Sequence, residues 1–194
     1  METLDLACTS GAKIGLLGSI YFVGWAFAAL ILPRLSDIYG RKYLYLTAMT
    51  IQCTFWLVIL FSRSLNLTIA MMFFFGMGSL GRSAIGFLYL MELLPQTKQT
   101  FVASILAIVK FQSTTFVALY FLYVSKYWFP LEAFMCGSNA LICISILFLP
   151  ESPKFLISKR RYEDARMALA YIAKLNRCSD VKTKEFKLDR EVIE

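Results

Sequence analysis

The sequence predicts an all-α membrane protein built around five transmembrane helices. Of its 194 residues, 58% are hydrophobic, whereas soluble domains contain about 45–50% apolar residues. The apolar residues also form long uncharged runs, and about 20 helical residues are needed to cross the hydrocarbon core of a bilayer. Because these runs show no alternation of apolar and polar residues, membrane-spanning strands are not predicted.

The uncharged runs assign the spans, in chain order, to about 14–33, 43–62, 65–92, 99–125 and 129–150. The third and fourth spans each contain one internal cation, Arg82 and Lys110. Residues 1–13 would form an N-terminal segment on one side of the membrane, and residues 151–194 would form a tail on the other side. We therefore expect one helix bundle, 14–150, between two polar segments.

The basic residues are distributed unequally between the two sides. Of the 20 Lys and Arg residues, fifteen lie in the loop 33–42, at Lys98 or in the tail, three lie on the opposite side, and two lie within spans. Basic residues accumulate on the cytoplasmic side of membranes. We therefore expect the N-terminus outside and the C-terminus in the cytoplasm, in either the plasma membrane or an organelle membrane.

The tail contains a predicted amphipathic helix at about 158–176. Ala165, Ala168 and Leu175 recur at helical spacing, with charges between them. We expect this helix to lie along the inner face of the membrane. The basic run 159–161 would then meet anionic lipid headgroups, or it is simply the solvated start of a charged helix.

The composition argues against several other classes. The chain has no histidine and its five cysteines show no Cys-x-x-Cys spacing, so no metal site and no cofactor are predicted, and cysteines inside spans are expected to serve packing. The glycines of residues 73–86 lie within a span, where small residues let helices approach, and not in a phosphate loop. An enzyme is not expected, and neither is a nucleic-acid partner for a chain held in a lipid bilayer.

The decapeptide PRLSDIYGRK, residues 33–42, is predicted to be a turn of about ten residues between the first two spans. Gly40 allows backbone angles that residues with a Cβ resist. Asp37 can accept hydrogen bonds from helix-terminal amides or an arginine, while Arg41 and Lys42 hold the turn at the interface. A plain basic turn would need only the basic residues, so the Asp-x-x-Gly-Arg-Lys spacing indicates a further role.

With its preceding helix, the segment GSIYFVGWAFAALILPRLSDIYGRK (18–42) resembles the second helix and following loop of the major facilitator superfamily of secondary transporters. The segment LPESPKFLISKRRYEDARMALAYIAKLN (149–176) resembles its sugar and organic-ion carriers. The segment GRSAIGFLYLMELLP (81–95), and Cys8 before the first span, resemble the organic cation and anion carriers. The resemblance covers about residues 6–178, and it implies helices two to six of a fold with twelve helices.

The resemblance also implies a cytoplasmic network of charges that latches the inner gate while the substrate site faces outward. The alternative is that these charges only anchor helix ends. The chain departs from the family pattern at Pro33, which replaces a glycine, and at Met72, where an arginine is frequent. The predicted network residues are Asp37, Gly40, Arg41, Lys42, Glu92, Glu151 and Lys154, the last replacing an arginine.

Two cations are expected near the middle of the membrane. Arg82 and Lys110 each lie about 15 Å from the inner ends of their helices, where a buried charge costs at least about 2.5–3.5 kcal/mol. Small and polar residues share their helix faces, which suits a water-filled cavity or a close helix contact. We predict that these cations attract an anionic group of the solute, or else that they pair with acids on absent helices or snorkel along the cavity. The cavity candidates are Arg82, Lys110, Ser79, Ser83, Tyr89 and Ser113.

The functional prediction is a fragment of a secondary-active transporter that moves a small organic solute, in particular an organic ion, by alternating access. The alternative is a carrier-derived accessory or structural subunit without transport activity of its own. Five helices would not enclose a cavity between two bundles. The expected partners are therefore the lipid bilayer, the solute, and the missing C-terminal half or a partner subunit.

Overall fold

Helices make up nearly all of residues 10–176, which a computed structural model of the chain describes. Five of these helices are long and apolar enough to cross a membrane, so the predicted all-α class with five such helices is confirmed. The predictions about residues 1–9, including Cys8, and about the end of the tail lie outside the described residues. The helices are α1 (Gly11–Tyr39), α2 (Arg41–Phe61), α3 (Leu65–Leu93), α4 (Gln96–Val124), α5 (Phe129–Leu147), α6 (Pro153–Ser158) and α7 (Tyr162–Leu175).

The five long helices alternate in direction, so that their connections lie at two ends of the bundle. We call the end that contains Gly40, Pro95 and residues 148–152 the junction end. We call the end that contains residues 62–64 and 125–128 the far end.

Helix α3 packs against both α1 and α2, and α2 also packs against α5. Two glycines let α1 and α3 approach closely. A Cβ on Gly24 would overlap the carbonyl oxygen of Phe73, and a Cβ on Gly76 would overlap that of Tyr21. The two helices therefore meet backbone to backbone, as small residues permit between membrane helices.

Helix α4 differs from its neighbours because none of its residues is buried. Apolar side chains such as Ile108, Phe111 and Leu122 are exposed along its length. A helix that is apolar on all sides is normally covered by lipid or by other helices. Helix α4 therefore has a large surface that is available to lipid or to other helices.

The predicted ten-residue turn at 33–42 is wrong in extent. Helix α1 continues through Pro33 to Tyr39, and Gly40 alone separates it from α2. Long basic side chains at a helix end reach the aqueous interface while the helix itself continues. The change in composition at residue 33 therefore indicates where the apolar stretch stops, and not where the helix stops.

The helix predicted at about 158–176 corresponds to α7, Tyr162–Leu175, which begins four residues later than predicted, and a separate short helix, α6, precedes it. Helix α6 ends at Ser158, and the chain reverses at Arg160, whose φ of 61° lies in the left-handed region. Helix α7 then packs back on α6, so much of the face predicted to lie on lipid is covered by protein. The core between the two helices consists of Phe155, Leu156, Ala165 and Ala168.

Candidate functional site

Three elements meet at the junction end: the break between α1 and α2, the last turn of α3, and the segment that leads into α6. Gly40 forms the break with a φ of 106° and a ψ of 157°, a combination essentially restricted to glycine. A Cβ on Gly40 would lie 2.6 Å from Oε2 of Glu151 and 3.2 Å from the ring of Phe155. Gly40 therefore both permits the break and leaves room for the α6 segment.

Arg41 is the basic centre of the contacts at this end, which we call the junction cluster: Asp37, Gly40, Arg41, Lys42, Tyr89, Glu92, Glu151, Ser152 and Phe155. Its guanidinium lies 3.0 Å from Oδ1 of Asp37 and 3.2 Å from Oε2 of Glu92. The side chains of Arg41 and Glu92 are 13% and 6% exposed, whereas that of Asp37 is 69% exposed. Exposed pairs contribute only about 0–1 kcal/mol, so the shielded Arg41–Glu92 pair is the more consequential of the two.

The carboxylates of Glu92 and Glu151 hold the start of α6. Ser152 Oγ donates a hydrogen bond of 2.5 Å to Glu92 Oε2, and it accepts one of 3.2 Å from the N–H of Phe155 as the N-cap of α6. Glu151 Oε1 accepts hydrogen bonds from the N–H groups of Lys42, at 2.9 Å, and Ser152, at 3.0 Å. Because acidic groups are favourable at helix N-termini, Glu151 also stabilises the start of α2.

Aromatic side chains complete the junction cluster. The ring centroid of Phe155 lies 5.0 Å from the guanidinium carbon of Arg41 and 5.8 Å from Nζ of Lys159, within the range of cation–π contacts. The hydroxyl of Tyr89 donates a hydrogen bond to the carbonyl oxygen of Pro150. These contacts tie the segment between α5 and α7 to α2 and α3.

The structure brings six of the seven predicted network residues together: Asp37, Gly40, Arg41, Lys42, Glu92 and Glu151. Lys42 takes part through its backbone and through Nζ, which donates a hydrogen bond of 3.0 Å to the carbonyl oxygen of Leu147. Lys154 is exposed and forms no ion pair with the acids of residues 10–176. Its assignment to the network therefore has no support from the packing.

Two residues of the junction cluster, Ser152 and Phe155, were not predicted. Ser152 is fully buried, and the Ser-Pro pair at the start of a helix is a known N-terminal signal that would have identified its capping role. Phe155 had no comparable signal, because a cation–π contact depends on which cation tertiary packing brings to the ring.

A second feature is a cavity of about 900 Å³ toward the far end, lined by all five long helices. Its charged lining residues are Glu132 and Lys126. Trp56 Nε1 donates a hydrogen bond of 2.9 Å to Glu132 Oε2, which fixes the carboxylate between α2 and α5. The rest of the lining is mainly apolar and includes Leu17, Met72, Phe75, Val117, Phe121 and Met135.

The two predicted membrane cations, Arg82 and Lys110, are exposed and do not line this cavity. Arg82 lies in a π-helical turn of α3, Gly81–Ile85. Within the described part of the chain neither cation forms an ion pair. Phe75 of α3 and Val117 of α4, each seven residues along the helix from one of these cations, do line the cavity.

The predicted hydroxyl residues bond elsewhere. The hydroxyls of Ser79 and Tyr21 are 2.8 Å apart, and those of Ser83 and Ser113 donate to backbone carbonyls of their own helices at 3.2 Å and 2.6 Å. Tyr89 was predicted to line a cavity, but it is buried in the junction cluster. None of the six predicted cavity residues lines the cavity at the far end.

Comparison with known proteins decides the family. The sequence model described as "Sugar (and other) transporter" matches residues 3–191. The chain belongs to this family. The family consists of carriers, so the prediction that the chain is not an enzyme is confirmed, and this sugar (and other) transporter family member is an integral, multi-pass membrane protein.

The similar proteins include several organic-ion carriers. Solute carrier family 22 member 4 of Mus musculus is 29% identical over 89% of this chain, and organic cation/carnitine transporter 2 of Homo sapiens is 28% identical over 89%. Synaptic vesicle glycoprotein 2B of Rattus norvegicus is 26% identical over 87%. This family member spans 31% of the length of the first two relatives and 27% of the third.

Proposed function

We propose that this family member is part of a secondary-active carrier that moves a small organic ion by alternating access. The observation that carries the proposal is the junction cluster, in which Arg41, Glu92 and Ser152 join three helical elements at one end of the bundle. Family membership supports the proposal, because similar proteins are named as transporters or solute carriers.

In this proposal the junction cluster is the latch of the inner gate. Removing one partner of a shielded ion pair leaves the other charge uncompensated and costs about 3–5 kcal/mol, and the intact Arg41–Glu92 pair joins α3 to α2 in this state of the carrier. Solvation of both charges on opening would offset much of that cost. A latch of this strength is compatible with gating by rigid-body movement.

We propose that the junction end faces the cytoplasm and the far end faces the outside. The distribution of basic residues supports this orientation, because the loop after α1, Lys98 and the tail carry most of them. The outer cavity and Glu132 would then face the side from which solute arrives.

The latch is tested by Glu92→Gln in the longest open reading frame that contains this chain. We expect uptake to fall about tenfold or more, because Arg41 loses its shielded partner and the inner gate no longer closes stably. The matched control is Asp37→Asn, which removes the exposed partner of the same arginine and should change uptake less than about twofold. Equal losses in the two variants, at equal surface expression, would contradict the latch.

For the solute we propose a small organic ion with a cationic group, as the names of the carnitine and organic cation relatives suggest. Arg82 and Lys110 would repel such a group, so their proposed role is to attract an anionic group on the same solute. Carnitine combines a quaternary ammonium and a carboxylate. A zwitterion of that kind therefore agrees with the names of the relatives and also offers an anionic group to the two cations.

The role of Arg82 is tested with Arg82→Gln and two labelled solutes, carnitine and a tetraalkylammonium ion. If Arg82 binds a carboxylate, carnitine uptake should fall about tenfold while uptake of the simple cation stays within about twofold. Lys98→Gln, which removes an exposed cation at the start of α4, is the control. The role is lost if Arg82→Gln leaves carnitine uptake unchanged at normal surface expression.

We further propose that additional helices complete the bundle and cover α4. The support is that α4 has no buried residue although it is as apolar as its neighbours, and that the cavity beside it is open. If the longest reading frame is correctly inserted but transports neither solute, the accessory-subunit alternative would replace the carrier proposal.

A further inference from the structure

We propose that the cavity at the far end binds organic ammonium ions, with Glu132 as the counter-ion and aromatic rings beside the cation. The inference deepens the proposed function and rests on it only for the role of such an ion as a transported solute. The cavity has a volume of about 900 Å³ and is lined by all five long helices. Small-molecule sites usually have about 300–1,000 Å³, mostly apolar walls and a few placed polar groups. The cavity therefore has the size and the lining of a ligand site.

Glu132 offers this cavity a carboxylate with one uncommitted oxygen. Its Oε2 accepts the hydrogen bond from Trp56 Nε1, whereas no donor within residues 10–176 bonds to Oε1, and no ion pair of these residues includes Glu132. Glu132 lies in the first turn of α5, where the helix dipole favours a negative charge. The described part of the chain therefore holds this carboxylate in place without supplying a counter-ion.

Lys126 also lines the cavity, but it does not neutralise Glu132. It is exposed, it lies in the connection between α4 and α5, and no ion pair joins it to Glu132. The long stem of a lysine lets its ammonium group stay in water, where its charge is screened by salt. Glu132 is half-buried, so a solute in the cavity meets the carboxylate in less solvated surroundings than the lysine. We therefore expect the cavity to attract cations.

Four aromatic side chains complete the lining: Trp56, Phe75, Phe121 and Trp128. Trp56 and Phe75 meet edge to face, with ring centroids 5.5 Å apart, and Trp56 also holds the carboxylate of Glu132. The faces of aromatic rings attract cations within about 6 Å of the centroid, and quaternary ammonium groups are frequently bound in this way. The rings and the carboxylate therefore favour the same kind of ligand.

The hydroxyl groups of the cavity argue against a sugar as its ligand. They belong to Ser62 and Thr68. Ser62 Oγ donates a hydrogen bond of 3.2 Å to the carbonyl oxygen of Ser64, and Thr68 Oγ1 donates one of 3.1 Å to Ser62 Oγ. A site for a neutral sugar would need several polar groups aimed at the ligand, whereas both hydroxyl protons are already used within the protein.

The experiment uses the full chain purified in detergent, with Trp25→Phe. The chain has three tryptophans, so Trp56 and Trp128 remain, and both line the cavity. Titration with tetraethylammonium chloride, balanced with sodium chloride to constant ionic strength, should produce a saturable change in tryptophan emission. Glu132→Gln keeps an oxygen acceptor for Trp56 but removes the charge. It should weaken the affinity about tenfold or more, because a desolvated charge loses its partner.

The matched control is Lys126→Gln, which removes the opposite charge from the same cavity. The affinity for tetraethylammonium should stay unchanged or rise by up to about threefold, because only an exposed repulsive charge is lost. D-glucose should produce no saturable change. The proposal is overturned if the parent shows no saturable response to tetraethylammonium, or if Glu132→Gln binds this ion as tightly as the parent does.

Phe75→Leu is a second test, which leaves Glu132 in place. It keeps an apolar side chain but removes one ring face, so the affinity for tetraethylammonium should fall about threefold or more. Unchanged affinity in a Phe75→Leu protein with the gel-filtration profile of the parent would also overturn the proposal.

The binding measurement is independent of transport. Saturable binding that requires Glu132, together with no uptake by the longest reading frame, would contradict the carrier proposal and support the ammonium site. Uptake of tetraethylammonium by the longest reading frame, together with unchanged binding in Glu132→Gln, would overturn the site and leave the carrier proposal in place.

Discussion

At the scale of single residues, Gly40 has the most demanding position described. Its φ of 106° with ψ of 157° is confined to glycine, and the space where a Cβ would stand is already occupied by Glu151 and Phe155. One residue therefore determines both the path of the chain between α1 and α2 and how closely α6 can approach.

Gly40→Ala should lower the stability of the purified chain. The backbone strain alone costs about 1–3 kcal/mol, and the new methyl group adds a clash with Glu151. The measurement is the thermal midpoint in detergent, together with the fraction of monodisperse protein. We expect a lower midpoint and loss of the hydrogen bond between Glu151 and the N–H of Lys42.

Gly137→Ala is the control for this substitution. Gly137 lies inside α5, where an added Cβ would have no neighbouring atom within 4 Å, and alanine is favoured over glycine in helices by about 1 kcal/mol. This variant should be as stable as the parent or more stable. Equal midpoints for Gly40→Ala and Gly137→Ala would show that the break at residue 40 is not strained by a side chain.

At the scale of helices, the contact of α1 with α3 depends on backbone proximity. Gly76 of α3 lies against the carbonyl oxygen of Tyr21, and Gly24 of α1 lies against that of Phe73. Lipid tails are as apolar as the side chains, so helix association in membranes relies on close packing more than on burial. The packing of the two helices is therefore most sensitive to added side-chain volume at these two glycines.

Gly76→Ala should separate α1 from α3 and destabilise the bundle by about 1–3 kcal/mol, the usual cost of overpacking. The decrease would be measured as a shift of the denaturation midpoint in mixed micelles. Gly18→Ala is the matched control, since it adds the same methyl group to α1 at a position with no neighbour within 4 Å. If the two variants shift the midpoint equally, close contact between α1 and α3 does not stabilise the bundle.

At the scale of the whole molecule, the five long helices are packed to different extents. Helices α1, α2, α3 and α5 are joined by packing and by the junction cluster, whereas α4 has no buried residue. The cavity lies where α4 faces the other helices. The described part of the chain therefore has one side with less packing than the rest.

A cysteine at Val117 should report whether further helices cover that side. In the chain expressed alone, Val117→Cys in a cysteine-free background should react readily with a membrane-permeant maleimide. In the longest reading frame the reaction should slow by about tenfold. A thiol that is covered by packed helices reacts only when the packing opens locally, and such openings are rare.

Phe111→Cys, placed at a highly exposed aromatic position of α4, controls for general changes in reactivity. It should react at similar rates in both forms if that face meets lipid. A Val117→Cys variant that reacts equally fast in both forms would rule out a helix packed against the cavity side of α4.

Composition and motifs were enough to predict part of this molecule. The five spans follow from the lengths of the apolar runs once one internal cation is accepted in each of the third and fourth spans, because the cost of placing polar groups in hydrocarbon acts on each segment separately. The family resemblance carried by the Asp-x-x-Gly-Arg-Lys motif implied a network that includes Asp37, Gly40 and Arg41, and the structure places these three residues next to one another. The contact between Asp37 and Arg41 was predictable from local spacing, because these two residues lie one helical turn apart.

Only the tertiary structure decided which distant groups meet. Ser152 binds Glu92 and the N–H of Lys42 binds Glu151 across long stretches of chain. Cys53 faces Cys136, and α7 packs on α6 instead of being free to lie on lipid. Hydropathy and helical period describe one segment at a time, whereas these contacts depend on the relative position and rotation of two segments, and that is set by how their side chains pack.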